Sequence, residues 1–262
     1  ARTGSQRRKN SIEKSHRRCI MRIIAIIQAR MGSSRLPGKA LKDLIGEPML
    51  VHIHNRVCQS TLINDIIIAT TESEKDDIIV DLCHDKKWLF FRGSENDVLD
   101  RYYQAARIFN GDIIVRITSD CPIIDASIID NILKKYLDQP KAPDYASNVY
   151  PVRTFPQGLD TEVFSFQALE RAWKEDNNPV LREHVTQYII KNPNIFNIIC
   201  VTNPIDFSCH RWTVDTIEDF TLIKAIYEHF GHDRFSWTAV LNFLTQNPQL
   251  SEINKHIPQK VI

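Results

Sequence analysis

No apolar run in this 262-residue chain approaches the roughly 20 residues that a bilayer-crossing helix needs, although 43% of its residues are hydrophobic. A helical membrane span is therefore excluded, while enough apolar material exists for a substantial core. Cysteine pairs at metal-ligand spacing are missing too. Cys19, Cys58, Cys83, Cys121, Cys200 and Cys209 are scattered without any C-x-x-C, which argues against a zinc site or disulfide framework and for a soluble protein of the reducing cytoplasm. Glycine is scarce, and only Gly32 and Gly38 fall between residues 22 and 42. Five residues separate them and Ala40 follows Lys39, so the Walker loop, with its four-residue gap and a hydroxyl after the lysine, is excluded. The three closely spaced glycines of the dinucleotide fingerprint are absent as well.

An excess of either charge is also lacking, since the formal net charge is +1. That balance conceals an asymmetry of +6 over residues 1–20 against −5 over residues 21–262. The basic stretch has no aromatic residue and no clear apolar period, and Met21 opens a strand as a native start would. It is expected to be a disordered, vector-derived or upstream-translated tail rather than a nucleic-acid arm, and it resembles neither a signal peptide nor a transit peptide.

The most informative segment is Arg22 to Lys42, where an apolar strand runs into a loop carrying Arg30, Gly32, Ser33, Ser34, Arg35, Gly38 and Lys39. Backbone N–H groups and fixed cations at a strand end suit a polyphosphate. The competing reading is an ordinary basic surface turn. Apolar strands at 22–28, 65–70, 88–91 and 112–117 alternate with helical periods at 48–58, 74–84, 96–109 and 125–137. This alternation predicts an α/β core with a mostly parallel sheet between helices. Residues 140–201 break the pattern, with many prolines, a strand at 160–164 and helices near 165–174 and 180–191. They are expected to form an inserted arm within one domain spanning 21–262. A return strand is predicted at 211–215, followed by helices at 216–229 and 236–246.

Ligands gather at the carboxyl ends of parallel strands. Strand 112–117 ends in Thr118-Ser119-Asp120-Cys121-Pro122, and the return strand ends in Val214-Asp215-Thr216. If both strands join one sheet, Asp120 and Asp215 converge as two hard oxygen ligands, which suits magnesium together with phosphate oxygens and water. Each aspartate also stands where a helix cap is wanted. Cys121 is expected to pack, since no histidine lies near it in sequence. His52 and His54, two apart on a helix, face different sides.

Five stretches in order, Ile26 to Lys39, Arg92 to Tyr102, Val115 to Asp125, Arg182 to Thr186 and Arg211 to Phe220, together resemble the spore-coat polysaccharide biosynthesis branch of the cytidylyltransferases. That branch is similar to the enzymes making CMP-activated 3-deoxy-manno-octulosonate and CMP-sialic acid. The resemblance implies a nucleotide-diphospho-sugar transferase-like (Rossmann-like) mixed sheet flanked by helices, with CTP as donor and Mg2+ as the metal. Arg30, Arg35 and Lys39 would then grip the triphosphate, and Asp120 and Asp215 would hold Mg2+. Ala29, Gly32, Ser33, Ser34, Arg92, Thr118 and Ser119 would complete the nucleotide site. The octulosonate enzymes usually carry a Gln-Gly-Asp-Glu-Pro-like segment at 118–122, so the aspartate is kept and its neighbours differ.

On the arm, Gln157, Asp160 and Glu162 are candidates to bind a polyhydroxylated acceptor. The function expected is transfer of CMP from CTP to an acidic sugar for surface polysaccharide synthesis, with pyrophosphate released. A metal-dependent glycosyltransferase of the GT-A type and a non-catalytic nucleotide-binding scaffold are the alternatives. A homodimer through the arm is expected from the resemblance, with no nucleic-acid partner and no membrane insertion.

Overall fold

The computed structural model of the protein describes residues 21–258, so the basic tail at 1–20 lies outside the described residues. β1 (Ile23–Gln28) carries five consecutive buried apolar residues. A strand of that kind needs cover on both faces, which is the condition of a parallel sheet between helical layers. A short 3-10 turn (Lys39–Leu41) and a small hairpin of β2 (Asp43–Leu44) and β3 (Glu47–Pro48) lead to α1 (Met49–Val57). Then come β4 (Asp65–Thr71), α2 (Asp77–Lys86), β5 (Leu89–Gly93), α3 (Val98–Ile108), β6 (Ile113–Thr118) and α4 (Ala126–Leu137). The arm contributes β7 (Tyr145–Ser147), β8 (Glu162–Ser165), α5 (Phe166–Glu175), α6 (Pro179–Arg182), α7 (Gln187–Lys191) and β9 (Ile198–Cys200). α8 (Ile217–Phe230), α9 (Trp237–Gln246) and α10 (Pro248–Ser251) follow.

The main sheet has the order β5-β4-β1-β6-β8-β7-β9. β5, β4, β1 and β6 run parallel, β8 is antiparallel to both β6 and β7, and β7 pairs in parallel with β9. Alternate side chains of β1 feed two cores. Ile23, Ala25 and Ile27 pack with α1, α4, α8 and α9, while Ile24 and Ile26 pack with α3, α5 and Ile189 of α7. Among the described residues no helix is long and apolar enough to cross a membrane.

The arm joins the main sheet through β7, β8 and β9 and makes it mixed; β8 is the strand expected at 160–164, while β7 and β9 are only three residues long, too short for their alternation to show in the sequence. Two expectations need correction. The expected helix over 180–191 is split into α6 and α7 by a turn in which Val185 has φ of 58°. Residues 211–215 make no strand. Arg211, Trp212, Thr213 and Val214 are all buried, but the chain forms a single bridge with Gln157, and Val214 N–H instead donates to the Asp120 carbonyl at 2.7 Å. The bridge requires Gly158, whose φ is 104° and where a Cβ would lie 2.6 Å from the Trp212 carbonyl carbon.

Candidate active site

The carboxyl ends of β1 and β6 lie side by side, with Gln28 in register with Thr118 and Ser119 N–H donating to the Gln28 carbonyl at 3.1 Å. The loop after β1 folds on itself around Met31. Its carbonyl accepts from Ser33 N–H at 2.9 Å and Gly38 N–H at 3.1 Å, and its own N–H donates to the buried Asp76 at 2.7 Å. Gly38 sits at φ 68°, the left-handed conformation that reverses the chain and starts the turn carrying Lys39.

Lys39 enters the centre and donates to three acceptors. Its Nζ lies 2.7 Å from the Val214 carbonyl oxygen, 2.9 Å from Asp215 Oδ1 and 3.2 Å from Asp120 Oδ2. The two aspartates therefore converge as expected, although the segment delivering Asp215 is no strand. Burial alone would lower the lysine pKa, but Asp120 and Asp215 outweigh it and hold the value above 10.5. For Asp215, burial pushes the opposite way, and Lys39, Arg35 and Arg211 together keep its carboxyl below the ordinary 3.8. Arg35 reaches Asp215 Oδ2 at 2.9 Å, while Thr118 donates its hydroxyl to Asp120 Oδ1 at 2.5 Å.

Behind Asp215 stands a buried brace that sequence reasoning missed. Arg211 donates to Asp215 Oδ2 at 3.1 Å, to Gln157 Oε1 at 3.2 Å, and through two nitrogens to Asp219 at 2.8 and 2.9 Å. Asp219 is wholly buried and also accepts from the Asp215 and Thr216 N–H groups and from Asn254 Nδ2. The Thr-x-x-Asp capping box of α8 was visible in the sequence, and it marks Asp219; nothing in the sequence pattern marks Asn254.

The other expected residues divide. Arg30 is partly exposed beside Glu95 at 3.9 Å and Glu183 at 4.0 Å. Gly32 and Ser34 are exposed on the loop, Ala29 is buried at the end of β1, and the Ser33 hydroxyl accepts from Leu36 N–H. Arg92 is committed elsewhere, to the Thr71 and Ser73 carbonyls and to Asp77 at 2.7 Å, so its guanidinium ties β5 to the start of α2. Asp160 forms a two-point pair with Arg153, and Gln157 serves the brace.

Glu162 must be withdrawn from the acceptor wall. The antiparallel register of β6 and β8 places it opposite Arg116, with which it pairs, and Tyr145 and Thr186 hydroxyls each donate to it at 2.6 Å. Burial would raise its pKa, yet Arg116 and these hydroxyls hold it below 4.5. It is an interior ion pair with its acceptors filled. Cys121 is also buried, and burial raises its thiol well above the ordinary value, in keeping with packing rather than nucleophilic attack. His52 and His54 are no ligand pair: His52 bonds Asp233 and the Leu44 carbonyl, and His54 stacks on Trp88.

Among the described residues no three His, Cys, Asp or Glu side chains gather to hold a metal alone. Asp120 and Asp215 still fit magnesium, which is commonly bound by one or two carboxylates plus substrate phosphates and water.

The cytidylyltransferase family model matches residues 24–247. The uncharacterized protein MJ1063 of Methanocaldococcus jannaschii is 41% identical over 242 residues, 92% of this chain and 97% of its own. Spore coat polysaccharide biosynthesis protein SpsF of Bacillus subtilis is 34% identical over 242 residues, 86% of this chain and 95% of its own. A solved cytidylyltransferase from Leptospira borgpetersenii shares 33% identity with a TM-score of 0.85, covering 92% of this chain and 99% of its own. CMP:2-keto-3-deoxy-manno-octonic acid synthetase, solved with CTP, superposes with a TM-score of 0.60 at 18% identity over 79% of this chain and 99% of its own, a likeness of fold alone. The sheet is accordingly that of the nucleotide-diphospho-sugar transferase fold. With the family match running from β1 through α9, this chain belongs to the cytidylyltransferases, a family of nucleotidyltransferases.

Proposed function

We propose that this protein transfers CMP from CTP to an oxygen of an acidic sugar of the 3-deoxy-2-keto class, releasing pyrophosphate, in the synthesis of a surface polysaccharide. The observation that carries the reading is the meeting of Lys39, Asp120 and Asp215 at the strand ends. The polysaccharide role draws support from SpsF, and CTP as donor from membership of the cytidylyltransferases.

In this chemistry the acceptor oxygen forms a bond to the α-phosphorus in line while the bond from that phosphorus to the bridging oxygen of pyrophosphate breaks. The protein's work is alignment and charge neutralisation. Arg30, Arg35 and Lys39 neutralise the charge that gathers on the departing pyrophosphate. Asp120 and Asp215 would hold Mg2+, which when bound supplies further neutralisation of the phosphate oxygens. Arg211 and Asp219 keep Asp215 in place, and the Thr118 hydroxyl orients Asp120. A homodimer through residues 140–201 belongs to the same reading.

The test offers each nucleoside triphosphate with Mg2+ and a panel of keto-acid sugars, and follows pyrophosphate. Release with CTP and one keto-acid sugar is expected. Tight binding of a nucleoside diphosphate sugar, with no pyrophosphate from any pair, would instead point to glycosyl transfer.

A further inference from the structure

The ammonium of Lys39 is fully used by the protein. It has three protons, and three oxygens surround it, those of Val214, Asp215 and Asp120, at 2.7, 2.9 and 3.2 Å. No donor is left for a phosphate. Two of these oxygens belong to the carboxylates assigned to the metal. A Mg2+ joining them would stand about 2 Å from each, and the lysine nitrogen already lies against the same two atoms. Both cations want one position, and repulsion between charges a few ångströms apart is large in a site this sheltered.

The charges around the centre also balance without any metal. Arg211 is matched by Asp219, while Lys39 and Arg35 are matched by Asp120 and Asp215. A free divalent cation therefore meets a neutral centre whose acceptor oxygens are taken. A triphosphate alters that balance, because its negative charge exceeds that of the ammonium and offers Lys39 an alternative partner.

We propose that Lys39 is an internal stand-in for the divalent cation, closing the Asp120–Asp215 pair to free metal and releasing it only when a nucleoside triphosphate draws the ammonium away. Metal and nucleotide then enter as one unit, and the protein carries no metal between turnovers. This rests on the nucleotidyltransferase reading of the centre.

The experiment uses Mn2+ as the probe, with free Mn2+ followed by electron paramagnetic resonance. Wild type and Lys39→Met are titrated alone and with a non-hydrolysable CTP analogue. Without nucleotide, Lys39→Met should bind Mn2+ about tenfold or more tighter than wild type, while losing turnover. Equal Mn2+ affinity of the two proteins without nucleotide overturns the proposal. Absence of protein-bound Mn2+ in both, even with the analogue, overturns the reading of the centre and the proposal with it. Should circular dichroism show Lys39→Met unfolded, Lys39→Gln takes its place. A second measurement needs no change at the site beyond assignment by Lys39→Arg: the side-chain resonance of Lys39 in wild type should stay in place with Mg2+ alone and move when the analogue is added with Mg2+. Movement with Mg2+ alone overturns the proposal.

Discussion

Asp215 touches three cations, Lys39, Arg35 and Arg211, whereas Asp120 touches one, Lys39, and a hydroxyl. Replacing either by asparagine keeps the shape and removes the charge, so Asp120→Asn and Asp215→Asn should each lower kcat by about a hundredfold or more with an unchanged circular dichroism spectrum. Full activity in either variant would remove that residue from the centre. Glu162→Ala is expected to act on the fold instead. It leaves the Arg116 guanidinium buried without its partner, at a cost of about 3–5 kcal/mol, measurable as a lower urea midpoint with KM for CTP unchanged in the folded fraction. The meeting of Lys39, Asp120 and Asp215 was legible in the sequence because the two aspartates stand just past short apolar stretches and Lys39 lies on the cationic loop that follows β1. Glu162 was misjudged because a carboxylate on the arm gives no sign that the strand register buries it against Arg116. Arg211, Asp219 and Asn254 form their brace from three separate segments, a geometry that no periodicity encodes.

Among the elements, β1, β4 and β6 were legible because they are largely buried and their apolar runs are nearly unbroken, and the edge strand β5, although mostly only half-buried, by its apolar start Leu89-Phe90-Phe91. The turn inside 180–191 was not. Its apolar spacing favours a helix, but the Thr186 hydroxyl bonds to Glu162 at 2.6 Å, and this contact from outside the segment outweighs local preference. Likewise 211–215 has the alternation of a strand, yet its N–H groups are divided between Gln157 and Asp120. That arrangement makes Gly158 a sensitive point. Gly158→Ala would force a Cβ into the Trp212 and Thr213 backbone at a φ that alanine resists. A loss of about 2 kcal/mol or more is expected, seen as a lower urea midpoint. Turnover should fall with it, because the displaced Trp212 lies three residues before Asp215.

For the molecule as a whole, the shifted groups define a window of acidity. Asp215, Asp219 and Asp233 sit below their ordinary 3.8 in the folded protein, and Glu162 below 4.5. Depressed values mean that their stabilisation is complete above the ordinary carboxylate range and is lost as pH falls through the lower folded values. Lys39 is raised above 10.5, so its contribution is complete below that value and disappears as pH climbs past it. Burial also lowers His54 to about 4 and lowers His210, so the unfolded chain takes up protons below about pH 6.5 that these folded imidazoles refuse. The urea midpoint should therefore be level from about pH 7 to pH 9, decline below about pH 6.5 and fall sharply below about pH 4; a midpoint that holds steady to pH 2 would contradict these pairings. The parallel half of the sheet and a strand near β8 could be foreseen, while β7 and β9 could not, since strands of three residues leave too little pattern. The long span between Lys39 and Asp215, 176 residues, also bears on how the protein is born. At translation speeds of about 5–20 residues per second, the ribosome delivers the second carboxylate about ten to thirty-five seconds after the lysine. A chain cut short anywhere before residue 215 lacks that carboxylate, so under the proposed mechanism truncated products of synthesis are expected to be inert rather than partly active.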